Sequence, residues 1–512
     1  MLLHELHQEA LRRDPRRNAL IVGDRRLAFA EMEETASLYA RALAVSGVGR
    51  GDRVSLFMGN CPELACLFQA CFRLGAVAVP HSCFNTKSEI AYEIDHCQAK
   101  VLLVGSELHP RVEGIRQEAP SLKEMFVPDA PAGESALRSL GENAGAAARK
   151  AAESGPAHAK DPAVVLYTSG STGKPKGVVH SHHSLFHNTA NRCRTLRHRP
   201  GDAYLSSSFL CHGAALSNLF LPMLHCGGTT VLMDHFSPEG FLECLRSHRP
   251  AIATSSPFQL RAVLDHPRCR REDFASVKWF YSGGDQAPLS LLEAFREKTG
   301  LELREGLGMT ECGGYLIGPP FEEARRGTVG KPIHGTEIKL TDHEGRSVEE
   351  GEVGEIRVRT EALMTGYWND PENTAAALVD GWLRTGDLGR RDEEGYYCFV
   401  GRSKHIILRD TGNVAPGEVE EVLDAHPKIG MSAVTGIPDE GHGQAVLAFV
   451  VPEDRRDMPS VGEMRSFAAQ RISERKVPLR WEFTDEIPLT DMGKIDRAAL
   501  AEMARKLTAV ED

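Results

Sequence analysis

Tyr167-Thr-Ser-Gly-Ser-Thr-Gly-Lys-Pro-Lys-Gly177 follows the apolar run Ala163, Val164, Val165, Leu166. The run reads as a buried strand, and Gly170 and Gly173 behind it allow the backbone to aim several N–H groups at one concave site. The hydroxyls of Thr168, Ser169, Ser171 and Thr172 add donors, and Lys174 and Lys176 add charge, a composition suited to phosphate oxygens. A Walker loop would place Ser or Thr after the lysine at a helix start, and here Pro175 stands there. Alone, the segment also fits a plain Gly/Ser turn between a strand and a helix.

Working outward, residues 54–58 read as a strand, Gly59-Asn60 as a break, and Pro62 as the opening of a helix closed by Gly75. A short strand at 76–79 completes a βαβ unit, and a helix at 90–96 with a strand at 101–104 adds a second. Further strands are expected at 163–168, 229–233, 251–255 and 277–281, with helical stretches between them. The fold class is therefore α/β with wound, largely parallel sheets, which place ligands beyond strand ends. Residues 130–161, rich in Ala, Gly, Glu and Lys, read as a surface helix and loop insertion. From about Glu355 short alternating segments predict a small antiparallel β lobe. After Arg402 an α+β pattern follows, with helices near 417–425 and 461–474 around a strand at 445–451, and the main boundary falls near Lys404.

The chain has 512 residues, 41% apolar and 26% charged, which is ordinary for a folded body of more than one lobe. A net charge of -11 without a Lys/Arg block argues against nucleic acid and anionic membrane as partners. No apolar run is long enough for an integral membrane segment, and the N-terminus lacks the pattern of a signal peptide, so a cytoplasmic protein is expected. The twelve cysteines contain no CxxC pair and read as reduced thiols; His180, His182, His183 and His187 lack a carboxylate or Cys at ligand spacing, so no metal centre is expected there.

The phosphate loop is followed by Ser282-Gly-Gly284, Gly308-Met-Thr-Glu311, Arg384-Thr-Gly-Asp387, Gly401-Arg-Ser-Lys404 and Pro488-Leu-Thr-Asp-Met-Gly-Lys494. In this order and spacing the sequence resembles the acyl-adenylate-forming, AMP-binding superfamily, in its acyl-CoA synthetase branch, over nearly the whole chain. The resemblance implies a large N-terminal adenylation domain over 1–403, with ATP and acyl sites, and a small mobile C-terminal domain over 404–512 carrying the adenylation lysine. It also implies a two-step reaction in which a carboxylate and ATP give an acyl-adenylate and pyrophosphate, and a thiol then displaces AMP. The substrates and cofactors implied are a carboxylic acid, ATP, Mg²⁺ and coenzyme A; a homodimer is compatible with this.

By the same resemblance, Thr168 to Lys174 and Lys176 hold phosphates, Glu311 and Thr168 are the candidate Mg²⁺ ligands, and Thr310 touches the α-phosphate. Asp387, read as lying in a tight turn, is the candidate ribose anchor, with Arg402 a second nucleotide contact. Gly283 and Gly284 admit adenine or the acyl chain close to the backbone, with a plain turn as the competing account. Leu307 stands where the family usually has an aromatic, so adenine would pack on an aliphatic face. Lys494, in a polar turn, is the candidate adenylation lysine, because a mobile ammonium can neutralise charge between carboxylate and α-phosphate. Lys404 matches the hinge position, followed by His405 where Asp is common, and the loop at Gly412 is the candidate CoA contact.

His212 resembles the gate of the acyl pocket, lined further by Gly283, Gly308 and Met309. No Asp stands between Ser206 and Leu221 to bind an amine, which disfavours an amino acid and leaves a fatty or aryl acid. The competing expectations are an adenylating enzyme that loads a carrier protein, a kinase-like ATPase releasing ADP, and a non-catalytic nucleotide-binding protein.

Overall fold

A computed structural model describes residues 1–130, 136–154, 158–168, 175–284, 286–409, 414–439, 443–490 and 494–509. Two large sheets enclose the principal core. One has seven strands, in the order Gly366–Tyr367, Lys176–Ser181, Pro162–Thr168, Val77–Pro80, Arg53–Phe57, Val101–Val104 and Glu124–Phe126. The other has nine, in the order Lys331–Pro332, Gly313–Ile317, Leu303–Met309, Trp279–Ser282, Ile252–Ser255, Ala203–Ser206, Thr229–Leu232, Asn18–Val22 and Arg25–Ala28.

Helix Pro62–Leu74 lies between them. It opens on proline, ends at Gly75 with φ 67°, and buries nearly every residue, including Gln69, as a helix apolar on all sides must. Its core joins Val54, Leu56 and Leu166 of one sheet to Leu20, Tyr204 and Ile252 of the other, with Leu185, Leu216 and Phe220 from later helices. One amide stitches the layers together: buried Asn60 donates to Met233 O (2.7 Å) and Ser208 O (3.1 Å), and its Oδ1 accepts from Leu210 N–H (2.7 Å). The break read at Gly59-Asn60 is thus also a fastening.

Several sequence expectations change. The element after the phosphate loop is a strand rather than a helix: Lys176–Ser181 pairs antiparallel with Pro162–Thr168, with Thr168 opposite Lys176. The stretch 130–161 is not a bare surface insertion, since its helices Ala136–Glu142 and Ala146–Ser154 bury Leu137 and Ala152 in the principal core. The β lobe begins earlier, with Thr336–Thr341, and pairs Gly354–Thr360, Trp382–Arg391 and Tyr397–Arg402.

After Arg402 the chain forms a separate three-stranded sheet of Ile429–Asp439, Gly443–Pro452 and Arg480–Phe483. Helices Pro416–Asp424, Val461–Ala469 and Arg497–Ala509 complete this unit. The helix expected over 461–474 stops at Ala469, because Ser473 is extended and restarts a short turn. Arg497 grips Glu420 by two bonds (2.6 and 2.8 Å) and donates to Val434 O (3.0 Å), while Glu420 also accepts from Val434 N–H (2.7 Å). This junction lies just beyond Lys494. Arg497→Met would leave a carboxylate only 10% exposed without its cation, so a loss of about 3 kcal/mol is expected in urea unfolding of the whole chain; an unchanged transition midpoint would refute the role given to the pair.

Candidate active site

Asp387 is fully buried. The sequence suggested a tight turn, but it lies within strand Trp382–Arg391, where Gly386 at φ 69° and a register shift aim the carboxylate inward. Tyr315 Oη donates to its Oδ2 (2.6 Å), Arg402 Nε lies 2.9 Å from Oδ1, and its backbone N–H donates to Thr385 Oγ1 (3.0 Å). Burial pushes this carboxyl above the usual range, while the Arg402 guanidinium, the Tyr315 hydroxyl and the Lys494 ammonium pull it back. Tyr315 comes from hairpin Leu303–Met309/Gly313–Ile317 and Arg402 from the strand opposite Asp387.

A second carboxylate stands at the tip of that hairpin. Glu311 is largely buried, Tyr367 Oη donates to its Oε1 (2.9 Å), and its carbonyl accepts from Met364 N–H (2.7 Å). Lys176 lies 5.2 Å over the Tyr367 ring and donates to Asn373 Oδ1 (2.7 Å), which brings the end of the phosphate loop beside Glu311. His180 Nε2–H donates to the Thr310 carbonyl (2.7 Å); burial lowers its pKa, so the ring is a neutral strut rather than a charge. Thr310 is thereby held within the same crevice, its methyl 3.7 Å from where a side chain on Gly213 would begin.

Lys494 reaches this crevice from the C-terminal unit. Its backbone closes a turn with Thr490, and its Cε passes 3.5 Å from where a side chain on Gly284 would begin; Gly284, at φ 100°, suits glycine for its conformation. Burial, assisted by this ammonium, lowers the His212 pKa to about 4. The His212 Nε2 is buried without a partner among the described residues, and Phe209 packs edge-on against the ring. Among the described residues nothing approaches within 4 Å of where a side chain on Gly283 would begin.

Gly308 and Met309 end the strand leading to Thr310, with Gly308 opposite Gly314, and Leu307 packs against the cluster around Tyr315 rather than standing free. Lys404 is exposed at the turn Ser403–His405, its pKa lowered by partial burial and by Arg402. Ser169, Gly170, Ser171, Thr172, Gly173, Lys174 and Gly412 lie outside the described residues. Sequence reading missed Tyr315 and Tyr367, the phenols that hold the two carboxylates; an aromatic on a strand carries no local sign of a partner so far along the chain. Among the described residues no group of three or more His, Cys, Asp or Glu side chains could hold a metal by itself, and no helix is long and apolar enough to cross a membrane.

Residues 7–368 match the AMP-binding enzyme family, and residues 418–494 match the AMP-binding enzyme C-terminal domain. The chain is 30% identical over 500 residues to an indoleacetate–CoA ligase of Aromatoleum aromaticum, covering 97% of each. It is 31% identical to a long-chain-fatty-acid–CoA ligase of Mycobacterium tuberculosis, covering 94% of this chain and 93% of that one. The crystal structure of an anthranilate CoA ligase in complex with anthranoyl-AMP superposes with a TM-score of 0.91 at 28% identity, over 99% of this chain and 98% of that one.

The buried imidazoles set the acid response. Burial lowers His182, His212 and His405 to about 4 and His198 to about 3, whereas in the unfolded chain they titrate near 6.5. Below about pH 6.5 the unfolded state therefore binds more protons, and stability falls by about 1.4 kcal/mol per pH unit per imidazole down to the folded values. Asp424, raised to about 7 by burial, and Asp387 act oppositely but are fewer. The melting temperature should hold above pH 7 and drop steadily from 6.5 toward 4.5; a rise over that interval would contradict this balance.

Proposed function

We propose, since the chain belongs to the AMP-binding enzyme family, that its crevice performs ATP-dependent, AMP-forming ligation of a carboxylic acid to CoA. ATP, CoA and the acid are its substrates, and Mg²⁺ is required. The observation that carries the residue assignment is the approach of Lys494 to Gly284, His212 and Asp387, because one cation from the C-terminal unit then faces groups from every other part of the crevice.

In this reading residues 1–403 bind ATP and the acid, and residues 404–512 are the moving part. Asp387, engaged by Tyr315 and Arg402, accepts the ribose hydroxyls. Thr168, Lys176 and the segment 169–174 hold the phosphates. Glu311 suits Mg²⁺: Tyr367 occupies Oε1, and Oε2 has no hydrogen-bond donor among the described residues. With Thr168 it would hold the ion, which screens phosphate charge when bound. Lys494 supplies positive charge where the acid's carboxylate oxygen attacks the α-phosphorus and pyrophosphate leaves. Neutral His212, with Gly283, Gly308 and Met309, borders the acyl group. Leu307, already packed into the core, offers adenine only an aliphatic edge.

The CoA thiol must later reach the carbon that Lys494 guards, so the C-terminal unit turns between the steps. Lys404, exposed between the last strand of the β lobe and the next sheet, is the hinge, and the loop at Gly412 the CoA contact. The names of the relatives point to aryl and fatty acids as the substrate class. A cytoplasmic location belongs to the same reading.

A panel of aryl and fatty acids should release AMP and pyrophosphate in equal amounts, dependent on Mg²⁺; ADP as the nucleotide product would overturn the assignment. Lys494→Ala should slow adenylation by at least ~100-fold while sparing thioester formation from supplied acyl-adenylate. Equal loss in both halves would show general damage instead. Lys404→Pro fixes φ near -65°, and the folded variant should keep pyrophosphate exchange but lose acyl-CoA formation; wild-type acyl-CoA formation would remove Lys404 as the hinge.

A further inference from the structure

Arg192, on helix His182–Leu196, is 8% exposed. Among the described residues no carboxylate forms an ion pair with it, and its buried Nε donates to nothing. A buried guanidinium without a counter-charge costs stability, so its retention calls for a compensating partner.

Its surroundings tie it to the acyl side of the crevice. Its Nη1 lies 3.1 Å from where a side chain on Gly314 would begin, and Gly314 is opposite Gly308 across the hairpin. Asn218 Oδ1 accepts from Gly314 N–H (3.2 Å) and from Asn188 Nδ2 (3.2 Å); it sits in the π-helical turn Leu216–Phe220, one turn beyond His212. Nearby stands Tyr281, in the strand Trp279–Ser282 that precedes Gly283, its hydroxyl donating to Gly318 O (3.4 Å). Arg192 opposes the rise that burial gives the Tyr281 phenol and adds to the fall that burial gives His198. Both ring nitrogens of His198 are buried and unpartnered among the described residues, and the ring lies 6.0 Å from that of Tyr204.

One unpaired guanidinium, an imidazole with two idle nitrogens and two phenols thus gather on the helix side of the Gly308 strand, with no acid among them. An apolar acyl chain ending here would bury the guanidinium further without pairing it. We propose that Arg192 heads a subsite at the far end of the acyl pocket that binds a second carboxylate, so that the preferred acid is a dicarboxylic acid, aliphatic or aromatic. This rests on the ligase reading. The planar guanidinium meets the distal carboxylate with two parallel N–H bonds, which fixes the acid's length as well as its charge.

The test compares linear α,ω-dicarboxylic acids from malonate to sebacate, and terephthalate, with the methyl-ended monocarboxylic acid of equal length, by pyrophosphate release. The best diacid should exceed its monoacid by at least ~10-fold in kcat/KM, and Arg192→Met should invert that ratio while Arg192→Lys restores part of it. Without ligand, Arg192→Met should melt at or above the wild type, because an apolar side chain replaces an unpaired buried charge; a lower melting point would assign the arginine to the fold and overturn the subsite. Monoacids used as well as diacids, with a ratio indifferent to Arg192→Met, would overturn it too. Should no acid release pyrophosphate, the ligase reading fails, and the subsite is judged by binding alone. A diacid-induced rise in melting temperature present in wild type and lost in Arg192→Met supports it; equal rises, or none in either, reject it.

Discussion

A carboxylate with no access to water is the constraint around which this molecule is arranged. Asp387 cannot remain ionised at that depth unless its surroundings repay the lost hydration, and the groups that do so come from separate parts of the chain. Tyr315 belongs to the nine-stranded sheet, Arg402 to the β lobe and Lys494 to the C-terminal unit. The same charge that would receive a ribose therefore also registers three substructures against one another. Lys494 contributes through its charge.

Within the C-terminal unit, Arg497, Glu420 and Val434 lock the start of the last helix to the sheet, so the segment that carries Lys494 is anchored to that unit just beyond it. On the N-terminal side, His180 and Met364 fasten the Thr310-Glu311 tip from both flanks.

Much of this was legible in the sequence because it is locally encoded. Helix Pro62–Leu74 carries its own start and stop, the strands around it are short apolar runs, and the phosphate loop announces itself by composition. What escaped was set by distant partners. Asp387 looked like a turn former because its neighbours are Thr and Gly; it is a strand residue turned inward, and its phenol partner lies 72 positions away. Strand Ile429–Asp439 went unread because Gly430 and Gly436 interrupt its apolar alternation; helix Arg497–Ala509 went unread although Asp496 caps its first turn, and its Arg497 is held by Glu420, 77 positions away. Arg192 was invisible for a related reason: on an ordinary helix an arginine is read as solvated, whereas here distant segments such as Gly314 close over it.

Asn60 has a mechanical side. Its single amide is bonded to the end of a strand at Met233 and to the segment Ser208–Leu210 that leads into His212, while its own backbone continues from the other sheet. The position of His212 and the spacing of the two sheets are therefore coupled through one side chain. Any force that displaced the segment before His212 would be felt first as strain between the sheets, so a change in the helix packed between them would reach that histidine as readily as a change beside it.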